Sequence, residues 1–374
     1  MKKLLTICIA TYKRPKKLQY CIDSVVEQIE KYALSDCIDI YVANDASPDD
    51  TVSVLNAYVS LNYFITVSRE KNLGMSMNYK NMLSDISKKS DYQLIITDDD
   101  YLQPDILGEI VGFLQEQQKI ANGAPIIWTP RYSYTEDDKL HCIVCNPFNE
   151  SSFVKPSVVN AAKYMNNGFV LSGLILKSEY IDYEFWEQYR ENAFFPMIFF
   201  GDLLLKGGAY YWNKNIVHHT VLNECHWDRW GKNDVIIYLR LFSDGVNAYS
   251  VMGESIRSSP GKIQFYLFSF RNIKQAIYSL IYSNELKVDM LIVTDAIDEL
   301  KNSRVIRFNL PLRQLMLWGL FLNVAISVTK LLILNIFLFI DIRKARREKY
   351  RHIIGNYLGL FRSLPHVFQI ITSK

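Results

Sequence analysis

The sequence lacks several features that define common classes of protein. Cysteine is sparse, with 6 residues in 374, far too few for a disulfide scaffold, so a reducing compartment is the simpler interpretation. Cys142 and Cys145 have no second pair at zinc-finger spacing, which favours two free thiols in a hairpin over a zinc site. Neither a Gly-x-Gly-x-x-Gly nor a Walker A sequence is present, which argues against a dinucleotide oxidoreductase or a P-loop kinase.

The composition is that of a folded protein with an uneven distribution of charge. Hydrophobic residues make up 49% and aromatic residues 13% of the chain, which excludes disorder as the overall class. The net charge is +3, but residues 301–374 contain 13 Lys or Arg and two acids, a net +11 that leaves −8 for the rest. An acidic body with a basic, apolar tail indicates a unit held at an anionic surface. Because long aliphatic runs interrupt the basic residues, lipid is favoured over nucleic acid.

The first 115 residues alternate between strand-like and helix-like segments. The predicted strands are 4–10, 38–43, 63–67 and 92–97, and the predicted helices are 15–31, 48–60 and 76–88. The first apolar run is about eight residues long and is followed at once by basic residues, which favours a buried strand over a signal peptide. This alternation predicts βαβ units and a mostly parallel sheet. Ligands of such sheets bind at the carboxyl ends of the strands.

The turn after the fourth predicted strand contains three consecutive carboxylates, Asp98, Asp99 and Asp100. Adjacent carboxylates repel each other unless solvent or a cation screens them. Oxygen ligands at a strand end suit Mg²⁺ or Mn²⁺, which keep open positions for substrate phosphates. The alternative is a solvated acidic turn that caps a helix before Pro104. The polar turns after the other three strands favour a binding site.

Four motifs occur in order within about 105 residues. They occupy residues 7–15, 42–47, 72–78 and 97–104 and include an Asn-x-Gly-x-x-x-Asn pattern and the triple Asp. Together they resemble the family 2 glycosyltransferases with a GT-A fold, a Rossmann-like, mostly parallel α/β sheet flanked by helices. Within that family the pattern is most similar to bacterial O-antigen and capsule transferases of the abequosyltransferase type.

The resemblance implies donor-binding and metal-binding roles for the residues of these motifs. Asn44 departs from the family pattern, because it stands where the family has the first acid of an Asp pair. The implied donor-binding residues are Thr11 and Tyr12 at the nucleobase, Asp45 accepting a hydrogen bond from the base, Arg14 and Asn72 to Gly74 along the ribose and diphosphate, and Asp98 facing the ribose or phosphates. Asp99 would hold a divalent metal, Mn²⁺ or Mg²⁺, with Asp100 as a second ligand or a local anchor. The metal would neutralise charge on the departing nucleoside diphosphate.

Candidates for the remaining roles lie further along the chain. Inverting transfer needs a general base, and the Glu-Asp pair with which the family usually supplies it is absent. Glu191, before an apolar helix, is the favoured candidate, and Asp202 within that helix is the second. A helix cap or an exposed acid is the alternative for Glu191. Gly173 would leave room for the acceptor, and Trp227 and Trp230 would stack on sugar faces, unless Gly173 only relieves strand packing and the tryptophans only fill a core.

The C-terminal tail is predicted to associate with a membrane. Residues 315–340 are mostly apolar and long enough to cross a bilayer as a helix. Lys330 in the middle opposes crossing, so a helix lying in the interface is the alternative. A basic cluster at 343–351 is expected to bind anionic cytoplasmic lipid. An ordinary helical subdomain is the remaining interpretation.

The sequence therefore predicts two regions and one principal function. Residues 1–235 form the GT-A nucleotide-sugar-binding catalytic domain, and residues 236–374 form a helical region with a membrane-associating segment at 315–351. The predicted enzyme transfers a sugar from a nucleoside-diphosphate donor to a hydroxyl of a lipid-linked saccharide during surface polysaccharide synthesis, with inversion. It would lie at the cytoplasmic face of the inner membrane, peripherally or anchored by a single helix, without binding nucleic acid. The alternative, motivated by the missing Glu-Asp pair, is a non-catalytic GT-A-like assembly partner at the membrane.

Overall fold

The computed structural model describes residues 2–120, 123–134, 140–145, 147–187, 189, 192, 194–220, 248–249, 251–265 and 268–269. Most of them belong to one compact unit formed by Met1–Asp228 and Ser255–Phe265. Among the described residues, no helix is long and apolar enough to cross a membrane. The tail at 315–351 lies outside them, so its membrane association and the domain boundary at 235 stay predictions.

Strands and helices alternate along the unit, as predicted. The strands are β1 (Lys3–Thr11), β2 (Ile38–Asn44), β3 (Phe64–Ser68), β4 (Ser90–Thr97), β5 (Tyr101–Leu102), β6 (Ile126–Trp128), β7 (Arg131–Tyr134), β8 (Leu140–Cys145), β9 (Ser152–Val154), β10 (Leu174–Lys177), β11 (Ala209–Tyr211) and β12 (Val217–Thr220). The helices are α1 (Pro15–Lys31), α2 (Thr51–Asn56), α3 (Met75–Ile86), α4 (Leu107–Lys119), α5 (Val158–Tyr164), α6 (Tyr183–Glu187) and α7 (Phe195–Gly207), with 3₁₀ turns at Met165–Phe169 and Ser178–Tyr180.

Eight strands form the main sheet in the order β3-β2-β1-β4-β10-β6-β11-β9. Strands β3, β2, β1 and β4 are mutually parallel, whereas β10 runs antiparallel to both β4 and β6. The predicted α/β class with a mostly parallel sheet is thus confirmed. Apolar residues of the central strands and of α1 and α4 share one buried core, which fixes the carboxyl ends of β1, β2 and β4 side by side.

Helix α2 is shorter than the predicted segment 48–60. The Asp49 carboxylate accepts hydrogen bonds from the backbone N–H and the hydroxyl of Thr51, and the helix begins at Thr51. At the other end, Ala57 and Tyr58 donate to carbonyls three residues back, which tightens the last turn and ends the α-helix. The acids at 49–50 therefore form the turn before the helix rather than its first turn.

A second, smaller sheet lies where β4 ends. Its strand order is β5-β12-β7-β8, and β5 begins directly after the Asp98–Asp100 turn. Strand β12 pairs antiparallel with β5 and parallel with β7. The β7–β8 pair is a hairpin that contains Cys142 and Cys145, as the sequence predicted. This sheet places residues from about position 217 next to the turn that follows β4.

Candidate functional site

The carboxyl ends of β1, β2 and β4 meet at one edge of the main sheet. Thr11 at the end of β1 is in register with Asn44 of β2, and Ala10 is in register with Thr97 of β4. Because these strands are parallel neighbours, the turns that follow them open onto the same crevice. The structure therefore brings together the predicted donor and metal residues of the first, second and fourth motifs.

Asp98 is the buried centre of this crevice. Its Oδ2 accepts a hydrogen bond of 2.7 Å from the Thr11 hydroxyl, and its Oδ1 accepts one of 2.7 Å from Arg14 Nη1. Burial raises the pKa of Asp98 to about 6, although the nearby Arg14 cation opposes the rise. The side chain is only 4% exposed, so it is a held acceptor and not a solvated acid.

Arg14 connects Asp98 to Asp99. The same Nη1 atom that bonds Asp98 lies 2.9 Å from Asp99 Oδ2, so one guanidinium nitrogen bridges two carboxylates. Arg14 is the N-cap residue of α1, and Pro15 occupies the first helical position, where its missing N–H is no loss. The Asp99 side chain keeps 12% of its surface exposed, so it faces the mouth of the crevice.

Asp100 is buried and held by three side chains. Its Oδ2 accepts from the Thr97 hydroxyl at 2.8 Å and lies 2.8 Å from His219 Nδ1, and Ser172 is a further hydrogen-bond donor. Burial raises the pKa of this carboxyl, but the hydrogen bonds and the charge of His219 outweigh burial, so the pKa lies below its usual range. Conversely, Asp100 raises the pKa of His219 against the lowering effect of burial.

Sequence reasoning did not find His219. Its neighbour His218 packs within the small sheet, where its ring stacks between Tyr101 and Tyr134 at centroid distances of 4.3 and 4.0 Å. Successive side chains of a strand point to opposite faces, so His219 points away from this stack and reaches Asp100. Two histidines in a short strand-like segment after Ile216 were the available signal.

The turn offers few protein ligands to the predicted divalent metal. In the described part of the chain, no group of three or more His, Cys, Asp and Glu side chains is arranged to hold a metal. Mg²⁺, however, is usually held by one or two carboxylates together with waters and substrate phosphates. Asp99 at the mouth can supply such an oxygen, so the turn fits a metal that arrives with a diphosphate. The Asp100 side chain has no exposed surface and fits the role of a local anchor. The Arg14 guanidinium already neutralises part of this charge.

Asp45 clamps the loop before α3. Its Oδ1 accepts from the backbone N–H of Leu73 at 2.8 Å, and its Oδ2 accepts from that of Gly74 at 2.9 Å. Asn72 Oδ1 accepts from the Gly74 N–H as well. Gly74 has a φ of +82°, which disfavours any residue with a Cβ. Asp45 was expected to contact a nucleobase; in this structure its two oxygens hold the Asn72–Gly74 loop.

Tyr12 lies at the rim of the site with its ring 38% exposed. Lys13 Nζ lies 4.9 Å from the ring centroid, and hydrogen bonds with Lys13 and Asn72 lower the pKa of the phenol. The ring is thus oriented beside the Asn72–Gly74 loop. The structure places Tyr12, Asn72 and Gly74 together, as the resemblance implied.

Gly173 lies on the other side of the Asp98–Asp100 turn. Its φ is +84°, and a Cβ added there would be 2.7 Å from Thr129 Oγ1. Its backbone N–H donates to the Ile95 carbonyl of β4, and the neighbouring Ser172 hydroxyl accepts from the Thr97 N–H. Packing against Thr129 and the positive φ both require glycine here, beside the role in acceptor binding that the resemblance implied.

The second base candidate, Asp202, is not brought to this turn by any described contact. Asp202 Oδ2 is 2.8 Å from Lys206 Nζ, and Lys206 also pairs with Asp182. Asp182 follows β10, whose last residue, Lys177, is in register with Tyr92 near the start of β4. Burial raises the pKa of Asp202, and Lys206 opposes the rise. Helix α7 is apolar on nearly every side, so the sequence gave no indication of the direction in which the Asp202 side chain points.

Three predicted residues, Glu191, Trp227 and Trp230, lie outside the described residues. Their roles as general base and as acceptor-stacking rings stay predictions. The described neighbour of Glu191 is Asn192, whose Oδ1 accepts from the Phe194 N–H before α7.

The first part of the chain is similar to known proteins. Residues 6–141, which include β1 to β4 and the Asp98–Asp100 turn, match the model of the family Glycosyl transferase family 2. Glycosyltransferase GlyG of Streptococcus pneumoniae serotype 4 is 22% identical over 138 residues, covering 37% of this chain and 42% of that protein. The chain thus spans less than half the length of this curated relative.

Solved structures of S. aureus TarS share the fold. TarS 1–349 in complex with UDP-GlcNAc has a TM-score of 0.57 at 14% identity, over 81% of this chain and 80% of that one. TarS 1–349 alone has a TM-score of 0.54 at 13% identity, over 81% of each chain. At such identities the likeness concerns the fold. Residues 6–141 thus match a family 2 glycosyltransferase domain, and the fold agrees with the predicted GT-A type, whereas the abequosyltransferase likeness stays a prediction.

Proposed function

We propose that this protein transfers a glycosyl group from a nucleoside diphosphate to a hydroxyl of a lipid-linked saccharide in surface polysaccharide synthesis. The observation that carries the proposal is the bridge from Arg14 to Asp98 and Asp99 at the ends of β1 and β4. It combines a cation and two carboxylates in one crevice, which suits a ligand with both hydroxyl and phosphate groups. The family match over residues 6–141 supports the same reaction class.

The donor would occupy the crevice from Tyr12 to Asp99. Its base would stack beside the exposed Tyr12 ring, and Asp98 would accept from a ribose hydroxyl because a buried carboxylate offers a strong, fixed acceptor. Arg14 would turn from the carboxylates toward the diphosphate. Asp45 would act through the loop that it clamps, with its remaining lone pairs available to the base. The UDP-GlcNAc complex of TarS makes UDP the first nucleotide to test.

Asp99 would hold a divalent cation, and Asp100 would anchor the turn that carries it. When bound, Mn²⁺ or Mg²⁺ supplies charge neutralisation for the departing nucleoside diphosphate. His219, Thr97 and Ser172 keep Asp100 ionised and fixed in orientation. Because its side chain has no exposed surface, Asp100 would fix the position of the turn that carries Asp99 before the cation arrives.

The acceptor side of the proposal rests on the sequence. Glu191 would deprotonate the acceptor hydroxyl in an inverting transfer, and Trp227 and Trp230 would contact its sugars. The basic, apolar segment at 315–351 would bind an anionic membrane at the cytoplasmic face, where a lipid-linked acceptor is presented. A membrane-bound acceptor accounts for a tail charge of +11 beside a body of −8, both counted on the full sequence.

The experiment is a thermal-shift panel of UDP, GDP, CDP and dTDP with and without Mn²⁺. We expect one nucleotide to stabilise the protein in the presence of Mn²⁺, because binding only the folded state raises its stability. Asp99→Ala should remove the effect of the metal. Asp91→Ala is the matched control, because Asp91 lies at the start of the same strand and pairs with Lys2 at the surface. Stabilisation by no nucleotide would instead favour the non-catalytic assembly partner.

A further inference from the structure

Phe169 and Phe194 form a stacked pair of aromatic rings on segments that are bonded to the candidate site. Phe169, at the end of the 3₁₀ turn Met165–Phe169, is 59% exposed. Its ring stacks on Phe194 with a centroid distance of 5.1 Å and an interplanar angle of 19°. A single exposed apolar residue needs no explanation, but Phe169 is exposed although a stacking partner covers one of its faces. The other face is presented to solvent as a flat apolar surface.

The turn that carries Phe169 is tied to the Asp98–Asp100 turn by a buried cation. Arg131 is 3% exposed, and its Nη1 donates to the Asn167 carbonyl at 2.8 Å while its Nε donates to the Ser172 carbonyl at 2.9 Å. Ser172 in turn bonds Thr97. A buried guanidinium is costly unless it is well bonded, and here it fixes the backbone on both sides of Phe169.

The second ring is tied to the donor side of the crevice. Phe194 precedes α7, and its backbone N–H donates to Asn192 Oδ1 at 2.7 Å. The Asn192 carbonyl accepts from Ser76 Oγ in the first turn of α3, directly after the loop that Asp45 clamps. The segments that carry the two rings are thus bonded to α3 on one side and to the residue before the carboxylate turn on the other.

Close packing holds the two rings together. Gly168 has no room for a side chain, because a Cβ there would be 2.3 Å from the Pro196 carbonyl oxygen and 2.8 Å from Phe200 Cβ. The 3₁₀ turn therefore lies directly on the first turn of α7. The flat surface of Phe169 is consequently fixed in position before any ligand binds, which reduces the ordering cost of binding.

We infer that Phe169, backed by Phe194, is the platform on which a pyranose ring of the acceptor stacks. The inference rests on the proposed glycosyl transfer. One face of a pyranose chair presents C–H groups, which match the negative face of an aromatic ring, while its hydroxyls extend sideways toward the polar crevice. Two rings are far too small for a stable protein interface, which buries about 800 Å² per partner. A sugar ring is of matching size and must enter this crevice to react.

The test measures acceptor and donor constants separately, with p-nitrophenyl glucopyranoside, galactopyranoside and mannopyranoside as acceptor probes. Phe169→Ala should raise the KM for the accepted glycoside about tenfold and leave the donor KM and the nucleotide thermal shift unchanged. Phe169→Trp should retain acceptor binding, and Phe169→Leu should lose most of it, because stacking needs a flat ring. Saturation-transfer NMR with the same glycosides gives a readout that does not need turnover.

Phe153→Ala is the matched control. Phe153 is 48% exposed and packs on Gly208, at the opposite end of α7, so its loss should leave both constants unchanged.

An acceptor KM that is unaffected by Phe169→Ala, or changed as much by Phe153→Ala, would overturn the inference and leave the proposed function intact. If the protein binds a nucleotide but none of the three glycosides, the inference is likewise overturned and the proposed function is left intact. Loss of phosphatidylglycerol vesicle binding in Phe169→Ala with an unchanged acceptor KM would assign the rings to lipid. Failure of the wild-type chain to bind nucleotide would count against the proposed function itself.

Discussion

His219 Nδ1 lies 2.8 Å from Asp100 Oδ2 and joins β12 to the turn after β4 across 119 positions of sequence. Replacing His219 by Ala should lower the free energy of unfolding by about 1–3 kcal/mol, because a buried carboxylate loses its partner. His219→Asn should recover part of this loss, since an amide nitrogen can donate from a position close to that of Nδ1. Chemical denaturation of the three proteins measures both effects, and equal destabilisation by Ala and Asn would contradict the role of the hydrogen bond.

The same pair has a defined dependence on pH. The pKa of His219 is raised in the folded state, so its contribution to stability is complete below the unfolded value of about 6.5 and is lost as pH rises through the folded pKa. The pKa of Asp100 is lowered, so its contribution is complete above about 3.9 and is lost as pH falls through the folded pKa. The difference in stability between wild-type and His219→Ala should therefore be largest between about pH 4 and 6.5.

Asp98, unlike Asp100, should make the folded protein less stable as the pH rises. Burial raises the pKa of Asp98 to about 6, so between the unfolded pKa of about 3.9 and this value the folded state holds a proton that the unfolded state has lost. Relative to Asp98→Asn, the wild-type protein should lose about 1.4 kcal/mol of stability per pH unit over this range, about 3 kcal/mol in all, and then level off. Urea denaturation at a series of pH values, with EDTA present, measures the slope. A difference that does not change with pH would show that Asp98 is ionised throughout.

The sequence predicts much of the part of the site that lies at the ends of the parallel strands β1, β2 and β4, because these residues follow strands that are neighbours in the sheet. The buried runs that became β1 and β4 are each followed by polar residues, so the proximity of Thr11 and Asp98 was to be expected once these strands were known to be parallel. Helix α2 began later than predicted because Asp49 bonds Thr51, a local competition that a propensity argument does not resolve.

The parts that sequence reasoning missed depend on long-range pairing or on side-chain direction. His219 reaches Asp100 only because β12 pairs with the two-residue strand β5, and nothing within either segment specifies that partner. The direction of the Asp45 carboxylate is fixed by the Leu73 and Gly74 N–H groups 28 and 29 positions away. Asp202 lies in a helix that is apolar on nearly every side, so periodicity could not indicate that it points to Lys206.

The clamp formed by Asp45 can be tested separately from contact with a base. In Asp45→Asn the side chain keeps one acceptor oxygen and gains an NH₂ group in place of the other. One of the N–H groups of Leu73 and Gly74 therefore loses its acceptor. Amide hydrogen exchange at these two positions should accelerate, and the nucleotide identified by thermal shift should bind about tenfold more weakly because the loop is no longer held. Isothermal calorimetry measures the affinity. Weaker binding with unchanged exchange at Leu73 and Gly74 would mean that Asp45 acts on the base alone.

Removing Arg14 should make the carboxylate turn more receptive to a divalent cation. In the structure one Arg14 nitrogen is within 2.9 Å of both Asp98 and Asp99, so in Arg14→Ala the two carboxylates lose their only guanidinium partner among the described residues and repel each other more strongly. In the absence of nucleotide, Mn²⁺ should therefore bind Arg14→Ala about tenfold more tightly than wild type, as measured by calorimetry, because a neighbouring positive charge has been removed. Arg69→Ala is the control, since Arg69 pairs with Asp85 away from the turn. Weaker Mn²⁺ binding by Arg14→Ala would instead mean that Arg14 positions the carboxylates for the metal. That result would contradict a competition between the Arg14 guanidinium and Mn²⁺ for the carboxylates.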